Sequence, residues 1–232
     1  MTNLILCILT SASTTMLFVG NSYTMGNGGL WTMTENIYES VTGDTLVTLQ
    51  HTQGGATLQD HWNNQSLREM IQTQSIDIAI FQEQSCMPVI GPAMTYEYGD
   101  SLALLCTAYG TQPAFLMTWA RKNDFMMLKG LEAGYSRMGY EHQCPVAPCG
   151  IGFHLLQGDY ALLELYESDG AHPSEAGSYL AACIIALSVL QADLSCSETW
   201  HSTGLSPASA RVIREAAIEA CSLYTQPMEA MK

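Results

Sequence analysis

The sequence is poor in positive charge. Its 232 residues hold 8 lysines and arginines against 22 aspartates and glutamates, which gives a formal net charge of −14. Nucleic acids and anionic membrane surfaces bind clustered basic side chains, and no such cluster occurs here, so neither partner is expected. No apolar run reaches the roughly 18 residues of a membrane-spanning helix. We therefore expect no membrane span.

Metal-binding patterns are also missing. The eight cysteines include no CxxC pair and no Cys/His spacing typical of a zinc site, so we expect no metal and no cofactor. Each cysteine is interpreted as a buried thiol. Cys144 and Cys149 are nevertheless close enough in sequence for a small disulfide loop, and Cys183, Cys196 and Cys221 lie in the C-terminal third. An oxidising compartment therefore stays open.

The N-terminal segment leaves the compartment undecided. Residues 1–15 hold an apolar run followed by Ser-Ala-Ser, which resembles a signal peptide, yet no lysine or arginine precedes the run. Secreted and cytoplasmic locations are thus equally open. The length and the hydrophobic content of 47% fit one α/β domain, expected over residues 16–225.

Short apolar runs alternate with segments of helical periodicity. Five runs predict strands, at residues 16–20, 45–49, 76–81, 114–119 and 145–148. The last contains two prolines and is expected at a sheet edge. Helical spacing predicts helices near residues 30–41, 58–71, 96–109, 125–140, 174–190 and 206–224. The alternation predicts a three-layer α/β/α sandwich around a mostly parallel, five-stranded, flavodoxin-like sheet.

Polar residues follow several of the apolar segments: Ser22, the glycines at 54–55, residues 82–85, and Asp169 with His172. Functional loops of such folds gather at the carboxyl edge of the sheet. Serine hydrolysis needs a nucleophile, a base, a carboxylate that orients the base, and donors to the oxyanion. Each site alone could be a helix cap, a turn, a solvated loop or a surface histidine. Their joint occurrence favours the hydrolase interpretation.

The same residues resemble the ordered blocks of the SGNH/GDSL-like hydrolase superfamily. The match runs over about residues 16–190 and is closest to the branch whose first block reads Gly-Asn-Ser-Phe/Tyr-Thr. Its blocks are Gly-Asn-Ser-Tyr-Thr (20–24), Gly-Gly-Ala-Thr-Leu (54–58), Phe-Gln-Glu-Gln-Ser (81–85), Met-Thr-Trp-Ala-Arg (117–121), Val-Ala-Pro (146–148) and Asp-Gly-Ala-His-Pro-Ser (169–174).

The resemblance implies a role for each matching residue. Ser22 would be the nucleophile, His172 the general base and then acid, and Asp169 the residue that orients the imidazole. The oxyanion hole would consist of the backbone N–H groups of Ser22 and Gly55 and a side-chain amide. The superfamily's Gly-x-Asn-Asp block reads Gln-Glu-Gln-Ser here, which puts Gln84 at the asparagine's place.

Three further side chains are candidates for substrate binding. Gln82 is the first glutamine of the third block and the less favoured oxyanion donor. Trp119 ends the fourth predicted strand and Arg121 lies just past it, and both are expected to line the cleft. The alternatives are that Trp119 packs in the rim and that Arg121 pairs with a surface acid.

The expected activity is ester hydrolysis through an acyl-serine intermediate, on a small-molecule or carbohydrate ester. A short acyl group, such as acetyl on a sugar hydroxyl, is favoured because no long apolar insertion is present. The alternatives are a lipase or thioesterase with an apolar groove at residues 87–94, an inactive glycan-binding module, and a flavodoxin-like domain without hydrolase activity. The oligomeric state stays open.

Overall fold

A five-stranded parallel sheet forms the centre of the structure. The computed structural model describes residues 13–159, 163–196 and 199–224, so most of the leader-like segment lies outside it. The strands are β1 (Ser13–Gly20), β2 (Thr45–Thr52), β3 (Ile78–Phe81), β4 (Gln112–Leu116) and β5 (Val146–Ala147). Their order is β2-β1-β3-β4-β5, and all four pairs are parallel. This is the flavodoxin-like order, and the predicted fold class is confirmed.

Helices follow the strands and cover the sheet. They are α1 (Ser22–Met25), α2 (Leu30–Thr42), α3 (Leu58–Asn63), α4 (Gln65–Thr73), α5 (Met87–Ile90), α6 (Pro92–Ala108), α7 (Met127–His142), α8 (Cys149–Asp159), α9 (Glu175–Ser188) and α10 (Pro207–Leu223). A short 3₁₀ segment, Gly26–Gly28, links α1 to α2. No helix in the described part of the chain is long and apolar enough to cross a membrane.

Alternate residues of each strand enter opposite hydrophobic layers, as the period of two in a strand requires. On one face, Met16 and Phe18 of β1 pack in a cluster with residues of α2, α8, α9 and α10. On the other, Leu17 and Val19 pack with residues of α3, α4, α6 and α7. Both faces of the sheet are therefore covered, which is why the central strands are apolar throughout.

Two helices were not predicted from the sequence, and the disulfide that the sequence left open does not form. Cys149–Asp159 and Met87–Ile90 are absent from the predicted helices, yet both segments are helical. Cys149, Cys183, Cys196 and Cys221 carry free thiols, so no disulfide joins Cys149 to Cys144. Cys149 is fully buried and its thiol lies 3.8 Å from the Ala181 carbonyl oxygen. It packs as an apolar core residue.

The strand order reverses direction at β1. From β1, the chain adds β2 on one side and β3 on the other. Open parallel sheets bind ligands at such a switch point, in the crevice outside the carboxyl ends of the two strands. Here the loops that follow β1 and β3 begin at Asn21 and Gln82, so these two loops border the crevice.

Candidate active site

Ser22 lies in a tight turn that joins β1 to α1. Asn21 caps the helix: its side-chain oxygen accepts a hydrogen bond from the backbone N–H of Tyr23 at 3.1 Å. Its amide nitrogen donates to the Ala56 carbonyl at 2.9 Å, in the loop after β2. Asn21 thus shapes the turn and joins it to the neighbouring loop. Within the described residues, the Ser22 backbone N–H has no hydrogen-bond partner.

Gln82 lies beneath this turn and not in the crevice. It is 1% exposed, and its side-chain oxygen accepts from the Asn21 backbone N–H and the Thr24 hydroxyl, both at 2.9 Å. Its amide nitrogen donates to the Glu83 carbonyl. A Cβ on Gly20 would lie 2.6 Å from the Gln82 oxygen, so this close contact requires glycine. The expectation that Gln82 binds substrate is therefore corrected: the protein's own backbone occupies its amide.

Ser22, His172 and Asp169 form a continuous hydrogen-bonded row. His172 Nε2 lies 2.9 Å from Ser22 Oγ, and His172 Nδ1 lies 2.5 Å from Asp169 Oδ2. The other carboxylate oxygen accepts from the backbone N–H groups of Ala171 and His172 at 2.9 and 3.0 Å. The His172 contact and these two N–H groups lower the pKa of Asp169 to about 2. The carboxylate is therefore ionised at neutral pH and holds the imidazole with Nε2 toward the serine.

Trp119 supports the row from behind. It is fully buried and is stacked between Tyr23, at a ring distance of 4.9 Å, and Phe153, at 4.2 Å. Its indole N–H donates to the Ala171 carbonyl at 3.0 Å, and the edge of the His172 ring packs against Tyr23. The expectation that Trp119 lines the cleft is corrected, because the indole has no surface to offer a ligand. It holds the backbone just before His172.

Two further donor groups face the same cavity as Ser22. Gly55 has a φ of +71°, and its turn is closed by a hydrogen bond from the Ala56 N–H to the Gln53 carbonyl. The Gln84 side-chain oxygen accepts from the Cys86 backbone N–H at 2.9 Å, which leaves the amide NH₂ as the free end. No described residue accepts from the Gly55 N–H or this NH₂. Both remain available to a ligand.

These groups surround an open cavity of about 210 Å³. It is lined by Asn21, Ser22, Tyr23, Gly55, Gln84, Ser85, Arg121, Ala171 and His172. The structure thus brings Ser22, His172, Gly55, Gln84 and Arg121 together at one cavity, with Asp169 behind the imidazole.

Arg121 lies at the boundary between this cavity and a second depression. Its guanidinium donates to the Cys86 thiol at 3.2 Å, and it forms no ion pair with any described carboxylate. The second depression, here called the apolar groove, measures about 310 Å³ and is lined by Cys86, Val89, Ile90, Arg121, Asp124, Met126 and Met127. Ile90 and Met126 are 75% and 68% exposed.

Glu83 is a buried carboxyl group that the sequence analysis did not single out. It is 1% exposed, and one oxygen accepts from the backbone N–H of Leu58 at 3.1 Å and of Gln84 at 2.5 Å. Burial raises its pKa to about 7, against the opposing effect of these two bonds. Glu83 therefore joins the loop that carries Gly55 to the loop that carries Gln84. Its place in a polar run gave no sign of burial.

No metal site was found in the part of the chain that the structure describes. There, no group of three or more His, Cys, Asp or Glu side chains could hold an ion. The donors at the cavity are a hydroxyl, an imidazole, backbone N–H groups and an amide, which suit a developing negative charge on an oxygen atom.

Comparison with solved structures shows that the chain has the fold of the SGNH hydrolases. A proposed SGNH hydrolase from Slackia heliotrinireducens is 24% identical, with a TM-score of 0.63 over 75% of this chain and 98% of that one. A DUF4886 family protein from Bacteroides uniformis gives a TM-score of 0.73 at 16% identity, over 91% and 96% of the two chains. A variant of an acetyl xylan esterase from Geobacillus stearothermophilus gives 0.58 at 14% identity, over 76% and 94%. No protein-family model and no curated protein sequence matches the chain.

Proposed function

We propose that this protein hydrolyses carboxylic esters through an acyl-Ser22 intermediate. The observation that carries the proposal is the row from Ser22 Oγ through His172 to Asp169, with contacts of 2.9 and 2.5 Å. A serine within hydrogen-bond reach of a histidine that a carboxylate orients is the arrangement that activates a hydroxyl nucleophile. The fold of the SGNH hydrolases, which include esterases among the similar structures, supports the same class.

The first half of the reaction acylates the serine. His172 Nε2 takes the hydroxyl proton of Ser22 while Oγ attacks the ester carbonyl carbon, and the carbonyl electron pair moves to oxygen. The N–H groups of Ser22 and Gly55 and the NH₂ of Gln84 donate to that oxyanion. The bond to the alcohol then breaks, and the leaving oxygen takes the proton from His172.

The second half restores the enzyme. His172 removes a proton from a water molecule, whose oxygen attacks the acyl carbon of acyl-Ser22. The same donors stabilise the second oxyanion, and Ser22 Oγ leaves with the proton held by His172. Asp169 stays ionised throughout, because its pKa of about 2 lies far below neutral pH. One ester and one water thus give one acid and one alcohol.

A short acyl group on a carbohydrate is the favoured substrate. The cavity at Ser22 is small, at about 210 Å³, which suits acetyl better than a long chain. The similar structure of an acetyl xylan esterase supports this choice only by analogy of fold.

A lipase or thioesterase activity is the second candidate, and the apolar groove favours it. Val89, Ile90, Met126 and Met127 line that groove, which shares Arg121 with the cavity at Ser22. An acyl chain that starts at Ser22 could continue past Arg121 into the groove and cover the exposed Ile90 and Met126. For this alternative, the sequence analysis named residues 87–94 as the candidate lining of such a groove.

A chain-length series separates these candidates. We expect the wild type to hydrolyse p-nitrophenyl acetate, and Ser22→Ala to lose at least about 10⁴-fold in kcat. Ser101→Ala, which alters a serine on α6, is the matched control. Highest kcat/KM for acetyl esters and acetylated xylo-oligosaccharides supports the favoured substrate, whereas a maximum at octanoyl or longer supports the second candidate.

Two results would contradict hydrolysis through an acyl-Ser22 intermediate. The first is equal hydrolysis by the wild type and Ser22→Ala. The second is no hydrolysis of any ester by folded wild type together with binding of xylo-oligosaccharides, which would indicate an inactive glycan-binding module.

A further inference from the structure

A buried pair of histidines lies next to the turn that carries Ser22. His61, on α3, is 1% exposed, and its Nε2 lies 3.0 Å from the carbonyl oxygen of Gly20. Its Nδ1 lies 3.2 Å from Nδ1 of His51, near the end of β2. The proposed reaction uses neither residue.

The contacts determine which nitrogen of His61 carries a proton. A carbonyl oxygen only accepts, so Nε2 of His61 must be the donor to Gly20. Burial and the neighbouring His51 lower the pKa of His61 to about 4, so the ring is neutral at pH 7 and its Nδ1 is an acceptor. His51 Nδ1 must therefore carry the hydrogen that lies between the two rings.

Nε2 of His51 has a hydrogen-bond partner that suits both the neutral and the protonated ring. Its Nε2 lies 3.2 Å from the Ser66 hydroxyl, which can donate or accept, and that hydroxyl also lies 2.8 Å from the Asn64 side-chain oxygen. A neutral His51 accepts the one hydroxyl hydrogen of Ser66, which then turns away from the Asn64 oxygen. A protonated His51 donates to the Ser66 oxygen, whose hydrogen then goes to Asn64. In both states Nδ1 remains a donor to His61, so the tautomer of His61 is unchanged.

The bond to Gly20 joins the two loops that supply the donors of the proposed oxyanion hole. Gly20 ends β1, two residues before Ser22, and its carbonyl also accepts from the Gln53 N–H at 3.1 Å. His61 lies on α3, which begins three residues after Gly55. The side chain of His61 therefore spans from the element after Gly55 to the element before Ser22.

We propose that His61 is a positioning residue: its Nε2–H, held in that tautomer by His51, sets the distance between the Ser22 and Gly55 N–H groups. This inference rests on the proposed function, which makes these two groups oxyanion donors. Such donors act only within about 2.7–3.1 Å of the oxyanion. A shift of about 1 Å can lower the rate on the order of 10²-fold.

A matched pair of substitutions tests the role. Gln at position 61 keeps an N–H donor near the place of Nε2, whereas Leu fills a similar volume without a donor. With p-nitrophenyl acetate, we expect His61→Leu to lower kcat by about 10- to 100-fold with a smaller change in KM. His61→Gln should stay within about 3-fold of the wild type. Circular dichroism and thermal unfolding at pH 7.5 show whether each variant is folded.

The pair of variants can also refute the proposal. Equal kcat values for the two folded variants would assign His61 a packing role only. A loss of kcat/KM that comes only from a higher KM, with kcat unchanged, would contradict an effect on the oxyanion donors.

Histidine NMR of the wild type tests the inference without any substrate. We expect His61 as the neutral Nε2–H tautomer and His51 with a proton on Nδ1 at pH 7, from long-range ¹⁵N–¹H correlations. The Nδ1–H tautomer or the imidazolium form at His61 would overturn the proposal, even if the ester hydrolysis is real. A wild type that hydrolyses no ester contradicts the proposed function instead, so the two failures are distinguishable.

Discussion

The substitution Glu83→Gln should stabilise the protein at alkaline pH. Glu83 is 1% exposed, and burial raises its pKa from 4.5 to about 7. Because the folded state holds the proton more tightly than the unfolded state, the contribution of Glu83 to stability is largest below pH 4.5. That contribution falls as the pH rises toward 7 and is constant above it.

The size of the effect follows from the shift. A change of one pKa unit corresponds to about 1.4 kcal/mol, so the rise from 4.5 to about 7 amounts to about 3 kcal/mol at pH 8. Glutamine resembles the protonated acid: its oxygen can accept from the Leu58 and Gln84 N–H groups, and its NH₂ lies near the Thr95 hydroxyl. We therefore expect Glu83→Gln to be about 3 kcal/mol more stable than the wild type at pH 8 and about equal to it at pH 4.5.

Urea unfolding at half-unit intervals between pH 4.5 and 8 measures this difference. Contributions of other titrating groups, including His61, are common to both proteins and cancel in the difference. Glu97→Gln, at an exposed position of α6, is the matched control and should show no trend with pH. A Glu83→Gln variant that is less stable than the wild type at pH 8 would refute the reasoning, since the two N–H bonds would then outweigh the burial of the charge.

Three further predictions concern the candidate site, each measured as kcat with p-nitrophenyl acetate. Asp169→Asn should lower kcat by about 10⁴-fold, because the amide favours the wrong tautomer of His172; an unchanged rate would remove Asp169 from the row. Gln84→Ala should lower kcat on the order of 10²-fold with little change in KM, as loss of one oxyanion donor does. A higher KM with an unchanged kcat would instead assign Gln84 to substrate binding. Trp119→Phe keeps the stacking but loses the bond to the Ala171 carbonyl, so kcat should fall by about 5- to 10-fold, whereas equal kcat would show that the aromatic stack suffices.

The sheet could be predicted because each central strand is an uninterrupted apolar run. Helix α8 could not, because Gly150 and Gly152 have low helix propensity and the segment shows little amphipathic pattern. In the fold, a Cβ on Gly152 would lie 2.6 Å from Ile184 Cδ1, and one on Gly150 2.5 Å from the Thr118 carbonyl oxygen. Glycine permits this close packing, so tertiary contacts outweigh propensity. A single sequence contains no local sign of such a contact.

Sequence reasoning singled out Ser22, His172 and Asp169, but it did not find His61 or Glu83. Ser22 begins α1 directly after β1, at the carboxyl edge of the sheet where such folds bind ligands. Asp169 and His172 lie before α9 and were matched to Ser22 through the Asp-Gly-Ala-His-Pro-Ser block of the resemblance. Gln82 and Gln84 have identical side chains two residues apart, yet one amide is bonded beneath the turn and the other faces the cavity. Gln82 differs from Gln84 because the backbone N–H of Asn21 lies within hydrogen-bond distance of its side-chain oxygen.

The same reasoning explains why His61 and Glu83 went unnoticed. Each bonds to the backbone of a loop distant in sequence: His61 to Gly20, 41 residues away, and Glu83 to Leu58, 25 residues away. A backbone group is the same at every position, so the identity of Gly20 or Leu58 gives no sign that a side chain binds there. Residues that touch the substrate must have particular side chains and so form motifs. Residues that position the loops need only reach a carbonyl or an N–H, and coordinates are needed to find them.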